Sequence, residues 1–176
     1  HESSLHFSAE EMATVKNKNS SDSVTLFPFF PDTPTFRYTH ARYLDNHKKV
    51  DDYHGQFIEM LKEDGVLDDT FIFYYGDHGG VLPRGKGYAY DTGLHVPLVV
   101  YVPKNWKHLV DADLGSRIDG FVSFIDFAPT LLNLAGLPVP AHMDGKPFLG
   151  KNVAIAEVNQ RDESFGYADR MDEKYD

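Results

Sequence analysis

The sequence predicts an α/β fold, a mostly parallel sheet flanked by helices, and three observations carry that expectation. Two apolar runs, Thr70 to Tyr75 and Pro97 to Val102, are β-branched and aromatic and too short for helices. Two longer stretches, near 39–64 and 123–135, carry apolar residues at helical spacing. Their order along the chain, with helices and strands taking turns, is the pattern of sheets covered by helices.

The elements follow in order. The chain opens on HESSLHFS without a start methionine, and residues 8–23 are polar, with Lys16, Asn17, Lys18, Asn19, Ser20 and Ser21 in a row, so they read as a surface loop. Val24 to Thr35 places prolines among aromatics and is expected to run extended over the surface. The first long helix rests on Tyr43, His47, Val50, His54, Phe57 and Leu61, spaced by alternating steps of four and three, with Leu44 and Ile58 beside them. Gly65 ends it. His47 and His54 lie on or near that stripe and read as packing residues.

The run Thr70 to Tyr75 stops at Gly76 and reads as a strand covered on both faces. Asp77 and His78 leave its C-terminal edge side by side, and Gly79 and Gly80 allow a sharp turn and a close approach to a ligand. Ligands of open α/β sheets bind at that edge. Arg84 and Lys86 follow in a glycine-flanked loop before the second apolar run. An Asp-His pair after a strand also suits a capped turn with a hydrogen-bonded imidazole. What favours chemistry is the combination of adjacent hard and borderline metal ligands with cations able to face an anion held by the metal.

Beyond Pro103, the surroundings of Trp106 read as an exposed loop and Arg117 to Val122 as a short strand. Ser123 then precedes an amphipathic helix with Asp126 in its first turn, near the positive end of the dipole. Gly136 stops it, and Pro138 and Pro140 prevent its return. Residues 152–158 and 165–168 are further candidate strands. The charged end ADRMDEKYD, like the opening, is expected to mark a piece truncated at both ends.

Composition narrows the function. The 176 residues are 41% hydrophobic with a formal charge of −10, which is globular and argues against nucleic acid, since no stretch is dense in Lys and Arg. No apolar run approaches the roughly 18 residues that cross a bilayer. The absence of cysteine excludes disulfides and thiolate chemistry within these residues.

The string DHGG, Lys86 nine positions after Asp77, and then YDTGLHVPLVVYVP resemble the later signature of the sulfatase catalytic domain, in the alkaline-phosphatase-like superfamily. The spacing is most similar to that of heparan N-sulfatase-like and bacterial arylsulfatase-like members. FFPDTPTFRYTHARYLDNHKKVDDYHGQFIEMLKEDGVLDDT, IDFAPTLLNLAG and MDGKPF resemble further segments of the same domain, so residues 1–176 are expected to be the later portion of one sulfatase catalytic domain. The resemblance implies a sulfuric ester hydrolase in which Asp77 and His78 bind a divalent metal, Ca²⁺ with Mg²⁺ or another ion as alternatives. It implies that Lys86 meets the sulfate and that His1, in HESSLH, contacts it too, with His6 as competitor. The nucleophile, a formylglycine made from Cys or Ser in C/S-x-P-x-R, is expected outside this chain, which lacks that motif. The implied substrate is a sulfated small molecule or sulfated glycan, and the implied location periplasmic, secreted or lysosomal. Two rival classes stay open at this stage: a metal-dependent phosphodiesterase or phosphomutase of the same superfamily, and a noncatalytic binding domain.

Overall fold

A computed structural model describes residue 5 and residues 7–167. Among them, the chain up to Asp64 together with Tyr75–Pro97 forms one unit, and Gly65–Tyr74 with Leu98–Tyr167 forms a second.

In the first unit a short helix, α1 (Ala9–Thr14), stands where the polar sequence predicts only a loop. A capping box starts it: the Ser8 hydroxyl accepts from the Glu11 amide at 3.1 Å, and the Glu11 carboxylate accepts from the Ser8 amide at 2.8 Å. The long helix α2 (Pro34–Glu63) begins earlier than the apolar stripe because Thr33 caps it and Pro34 fills the first turn, where its missing N–H costs nothing. Gly65, at φ 70°, follows its end. The stripe is covered only in part: Tyr38, His40, Ala41 and Leu61 are buried, whereas Phe57 is exposed, as are His47 and His54. The preceding segment is tied onto α2 by polar contacts. Tyr38 Oη donates to the Val15 carbonyl at 3.0 Å, and the Asp45 carboxylate accepts the amides of Lys18 and Asn19. The remaining element of this unit is a single helical turn, α3 (Asp91–Leu94).

The second unit carries two strands, β1 (Ile72–Tyr75), whose last residue counts with the first unit, and β2 (Leu98–Tyr101), which pair in a two-stranded antiparallel sheet. This antiparallel pair does not bear out the mostly parallel sheet that the sequence predicts. The Gly76 amide donates to the Pro97 carbonyl, so the chain returns at the end of β1 that it left. A parallel partner would have to cross to the other end first. The strands are not covered on both faces either. Phe73, Leu98 and Val100 pack against a cluster of Phe148, Leu149 and Val158, while Tyr74, Val99 and Tyr101 are exposed.

A one-turn 3₁₀ helix, Phe124–Asp126, leads into α4 (Phe127–Leu134), whose Phe127 ring lies 5.9 Å from Phe73 and 5.6 Å from Phe148. Asp126 is buried beneath it. Two expected strands are absent here. At 117–122 the amides of Asp119 and Gly120 are taken by the Asn159 side chain and that of Phe121 by the Arg161 carbonyl, so no ladder is needed to satisfy them. Within 152–158 the chain forms a helical turn, α5 (Ile155–Val158), and contributes only a parallel bridge between Ala154 and Asp111. Residues 165–167 form no strand, and residue 168 lies outside the described residues. No helix among the described residues is long and apolar enough to cross a membrane.

Candidate active site

The loop from Gly76 to Pro97 carries the chemistry, and its shape depends on two glycines. A Cβ on Gly79 would lie 2.0 Å from the Thr92 carbonyl oxygen, and one on Gly80 would lie 2.1 Å from the Tyr43 hydroxyl. Only a bare backbone fits so close. The Gly79 amide donates to the Gly93 carbonyl at 2.9 Å, and the Lys86 amide to the Gly80 carbonyl at 2.8 Å. The second bond brings Lys86 beside the end of the loop that carries Asp77 and His78, although nine residues separate Lys86 from Asp77 along the chain.

Asp77 projects outward, its side chain 82% exposed, and His78 is half-buried beside it. The His78 ring is oriented by its own neighbour, with Nδ1 2.8 Å from the Gly79 carbonyl. A carbonyl can only accept, so Nδ1 carries the hydrogen, and in the neutral ring Nε2 keeps its lone pair. That nitrogen lies 3.6 Å from Asp77 Oδ2. Metal-binding histidines are commonly held this way, one ring N–H fixed by a backbone carbonyl and the other nitrogen turned to the ion.

The donor set therefore fits part of a divalent-metal shell. It does not fit a whole one: among the described residues no three or more His, Asp or Glu side chains cluster, whereas Ca²⁺ takes 6–8 ligands. His1 and His6, the two candidates for a sulfate contact, lie outside the described residues.

Two residues carry more than sequence reasoning assigned them. Arg84 takes a left-handed backbone, φ 66°, and its guanidinium lies over the rings of Tyr90 at 4.1 Å and Phe29 at 4.8 Å. Its carbonyl accepts from the Thr92 hydroxyl at 2.6 Å. His40 is buried on α2, three residues before Tyr43, and its Nδ1 has no hydrogen-bond partner. Burial lowers its pKa. Extending the apolar stripe one step of three back from Tyr43 would have found it, whereas nothing in the sequence marks Arg84 as left-handed.

The Sulfatase family profile matches residues 7–137, and the chain belongs to the sulfatase family, whose fold is an alkaline-phosphatase-like α/β fold. A Ulvan-active sulfatase of Formosa agariphila is 34% identical over 166 residues, 94% of this chain and 26% of that protein. Human N-sulphoglucosamine sulphohydrolase is 30% identical over 118 residues, 66% of this chain and 22% of that protein. The Extracellular sulfatase SULF-1 homolog of Drosophila melanogaster is 34% identical over 95 residues, 51% of this chain and 8% of that protein. The chain thus spans about a quarter or less of the curated relatives it matches. Neither the phosphodiesterase nor the binding-domain alternative is favoured.

Proposed function

We propose that this chain supplies part of the active site of a sulfuric ester hydrolase acting on a sulfated sugar or a smaller sulfate ester. The observation that carries the reading is the pairing of Asp77 with a histidine whose Nδ1 is fixed by a carbonyl and whose Nε2 lies 3.6 Å from the carboxylate. Such a pair offers two lone-pair donors to one cation. Asp77 and His78 would hold a divalent ion, Ca²⁺ or another, completed by ligands from outside these residues. A bound ion of this kind polarises the sulfate oxygens. Lys86, whose backbone amide donates to the Gly80 carbonyl, would neutralise with its ammonium the charge developing on the sulfate. His1 would add a further contact to the sulfate.

Sulfatases generally use a metal ion and a formylglycine. These residues contain no C/S-x-P-x-R motif to supply the latter. Residues 1–176 accordingly read as the later portion of a catalytic domain. Of the periplasmic, secreted and lysosomal locations that the resemblance implies, the secreted one accords with the name of the Drosophila relative, an extracellular sulfatase homolog.

The test is metal content and hydrolysis of 4-nitrophenyl sulfate in the complete enzyme. Asp77→Ala should lose both the ion, read by elemental analysis, and the activity. Full metal content together with full activity in that variant would remove the assignment.

A further inference from the structure

The five arginines of the described residues make side-chain contacts of two kinds, and Arg84 differs even from Arg42, which lies over the single ring of Phe7 at 5.8 Å, in lying over two rings at shorter distance. Arg37, Arg117 and Arg161 pair with the carboxylates of Asp32, Asp119 and Asp126. Arg84 pairs with no carboxylate among the described residues and lies over the aromatic rings of Phe29 and Tyr90. Those rings continue on both sides: Phe29 stacks on Phe27 with centroids 5.5 Å apart, and Tyr90 on Tyr88 at 6.2 Å. The guanidinium thus sits in the middle of a column of four exposed rings, two residues before Lys86.

Stacking engages the π face of a guanidinium and leaves its N–H groups, which lie in its plane, to donate sideways. Holding the side chain there requires a backbone conformation that a non-glycine residue adopts only at a cost, with the carbonyl pinned by Thr92. A strained, exposed arginine held against aromatic rings in a chain of charge −10 is a cation prepared for an anion.

Resting on the sulfatase reading, we propose that Arg84 is a specificity-determining residue. Its guanidinium binds a second anionic substituent of the substrate, a carboxylate or a further sulfate, on a sugar next to the sulfate that Lys86 and the metal engage. The aromatic column fixes the guanidinium so that little side-chain freedom is lost on binding. Because these contacts lie away from the sulfur, they lower KM and leave the chemical step untouched.

The experiment compares the complete enzyme with Arg84→Gln and Arg84→Gly, the second because glycine suits φ 66° and keeps the loop in shape. Three probes are used: a monosulfated disaccharide bearing a uronate, a disulfated disaccharide without one, and 4-nitrophenyl sulfate, which has no second anion. In both variants kcat/KM should fall about ten- to a hundred-fold, through KM, for at least one disaccharide, as expected for one charge-assisted contact. The aryl sulfate should stay within about two-fold. Which disaccharide suffers tells carboxylate from sulfate. An equal loss on all three probes, or no loss on any, would overturn the proposal. Calorimetric binding of the disaccharides to the metal-free enzyme separates this idea from the sulfatase reading. Weaker binding by the variants supports the Arg84 contact even where no sulfate is released, and unchanged binding overturns it.

Discussion

Asp77 and Asp126 are the same residue used in opposite ways. Asp126 is surrounded by its own chain: Oδ1 accepts the Lys146 amide at 2.8 Å, and Oδ2 accepts the Ser123 amide at 3.0 Å and faces Arg161 at 3.5 Å. Its backbone carbonyl takes the Thr130 hydroxyl, which in turn accepts the Phe148 amide, so one aspartate joins α4 to the segment that enters the core. Asp77 ends two residues past β1 with its carboxylate facing outward and a histidine nitrogen 3.6 Å away. A carboxylate whose acceptors are filled by the protein holds the fold. One turned to solvent beside an oriented imidazole is available to a ligand.

The largest expected effect tests that contrast directly. Asp126→Ala leaves two amides without their acceptor and takes the counter-charge from Arg161, which keeps only the Lys146 and Pro147 carbonyls, in a site where the carboxylate is only 11% exposed, and should cost roughly 3 kcal/mol or more of unfolding free energy. Asp77→Ala removes no such partner and should change stability by less than about 0.5 kcal/mol. Urea titrations of the two variants read both numbers, and equal losses would erase the distinction.

The contrast also explains what was legible in the sequence. Asp77, His78 and Lys86 could be picked out because chemistry-bearing residues followed a strand and were flanked by glycines. Asp126 could be placed in a helix's first turn but not in a hub, because its partners Lys146 and Arg161 lie 20 and 35 residues away and no local pattern announces them. Both strands were visible as short apolar runs, and α2 and α4 as helical periodicity. The sheet's direction was not, since continuous apolar runs say nothing of which way the partner runs. The strand expected within 152–158 failed for a similar reason: Ala154, Ile155 and Val158 suit either structure, and burial of Val158 was met by a single helical turn. The helix α1 was missed although Ser8 and Glu11 carry the capping-box spacing.

Lys86→Ala sharpens the functional side. Its amide bond to Gly80 survives the substitution, so the loop and the metal content should be preserved. The rate on 4-nitrophenyl sulfate should fall on the order of 10²–10³, as for loss of one preorganised donor to the transition state. Loss of bound metal in this variant would mean that Lys86 supports the loop and not the sulfate.

A smaller effect is expected at Gly80. An alanine there must displace the ring of Tyr43, whose hydroxyl stands 2.1 Å from the new Cβ, and the cost should be about 1–3 kcal/mol. Adding Tyr43→Leu should recover part of it by opening the space, whereas the same second change should not help Gly136→Ala. Gly136 has open space around it and is strained only by φ 73°. Thermal melts of the single and double variants give the coupling, and simple additivity at Gly80 and Tyr43 would show that the contact is not the source.

The smallest effect belongs to His40, which resembles Asp126 in burial and Asp77 in lacking a filled set of partners. Its imidazole lies between the rings of Phe30 and Tyr43, at 6.1 and 6.4 Å, with Nδ1 buried and unbonded. Burial disfavours the charged ring and lowers its pKa below the ordinary 6.5. In the unfolded chain the same ring takes up a proton as pH drops through 6.5, while the folded ring stays neutral until its own lower value is reached. Between those two values the unfolded state binds more protons. The stability that the neutral ring contributes is therefore fully present above 6.5, declines as pH falls below it, and is gone once the folded value has been passed. His40→Phe keeps an aromatic ring among aromatics, leaves no unbonded nitrogen and has nothing to titrate. Urea melts of the two proteins from pH 8 down to pH 5 should superimpose in slope near pH 8 and diverge below 6.5, with the variant holding its stability further into acid. Parallel curves throughout would mean that another group governs the acid response and that the buried imidazole is paired in solution.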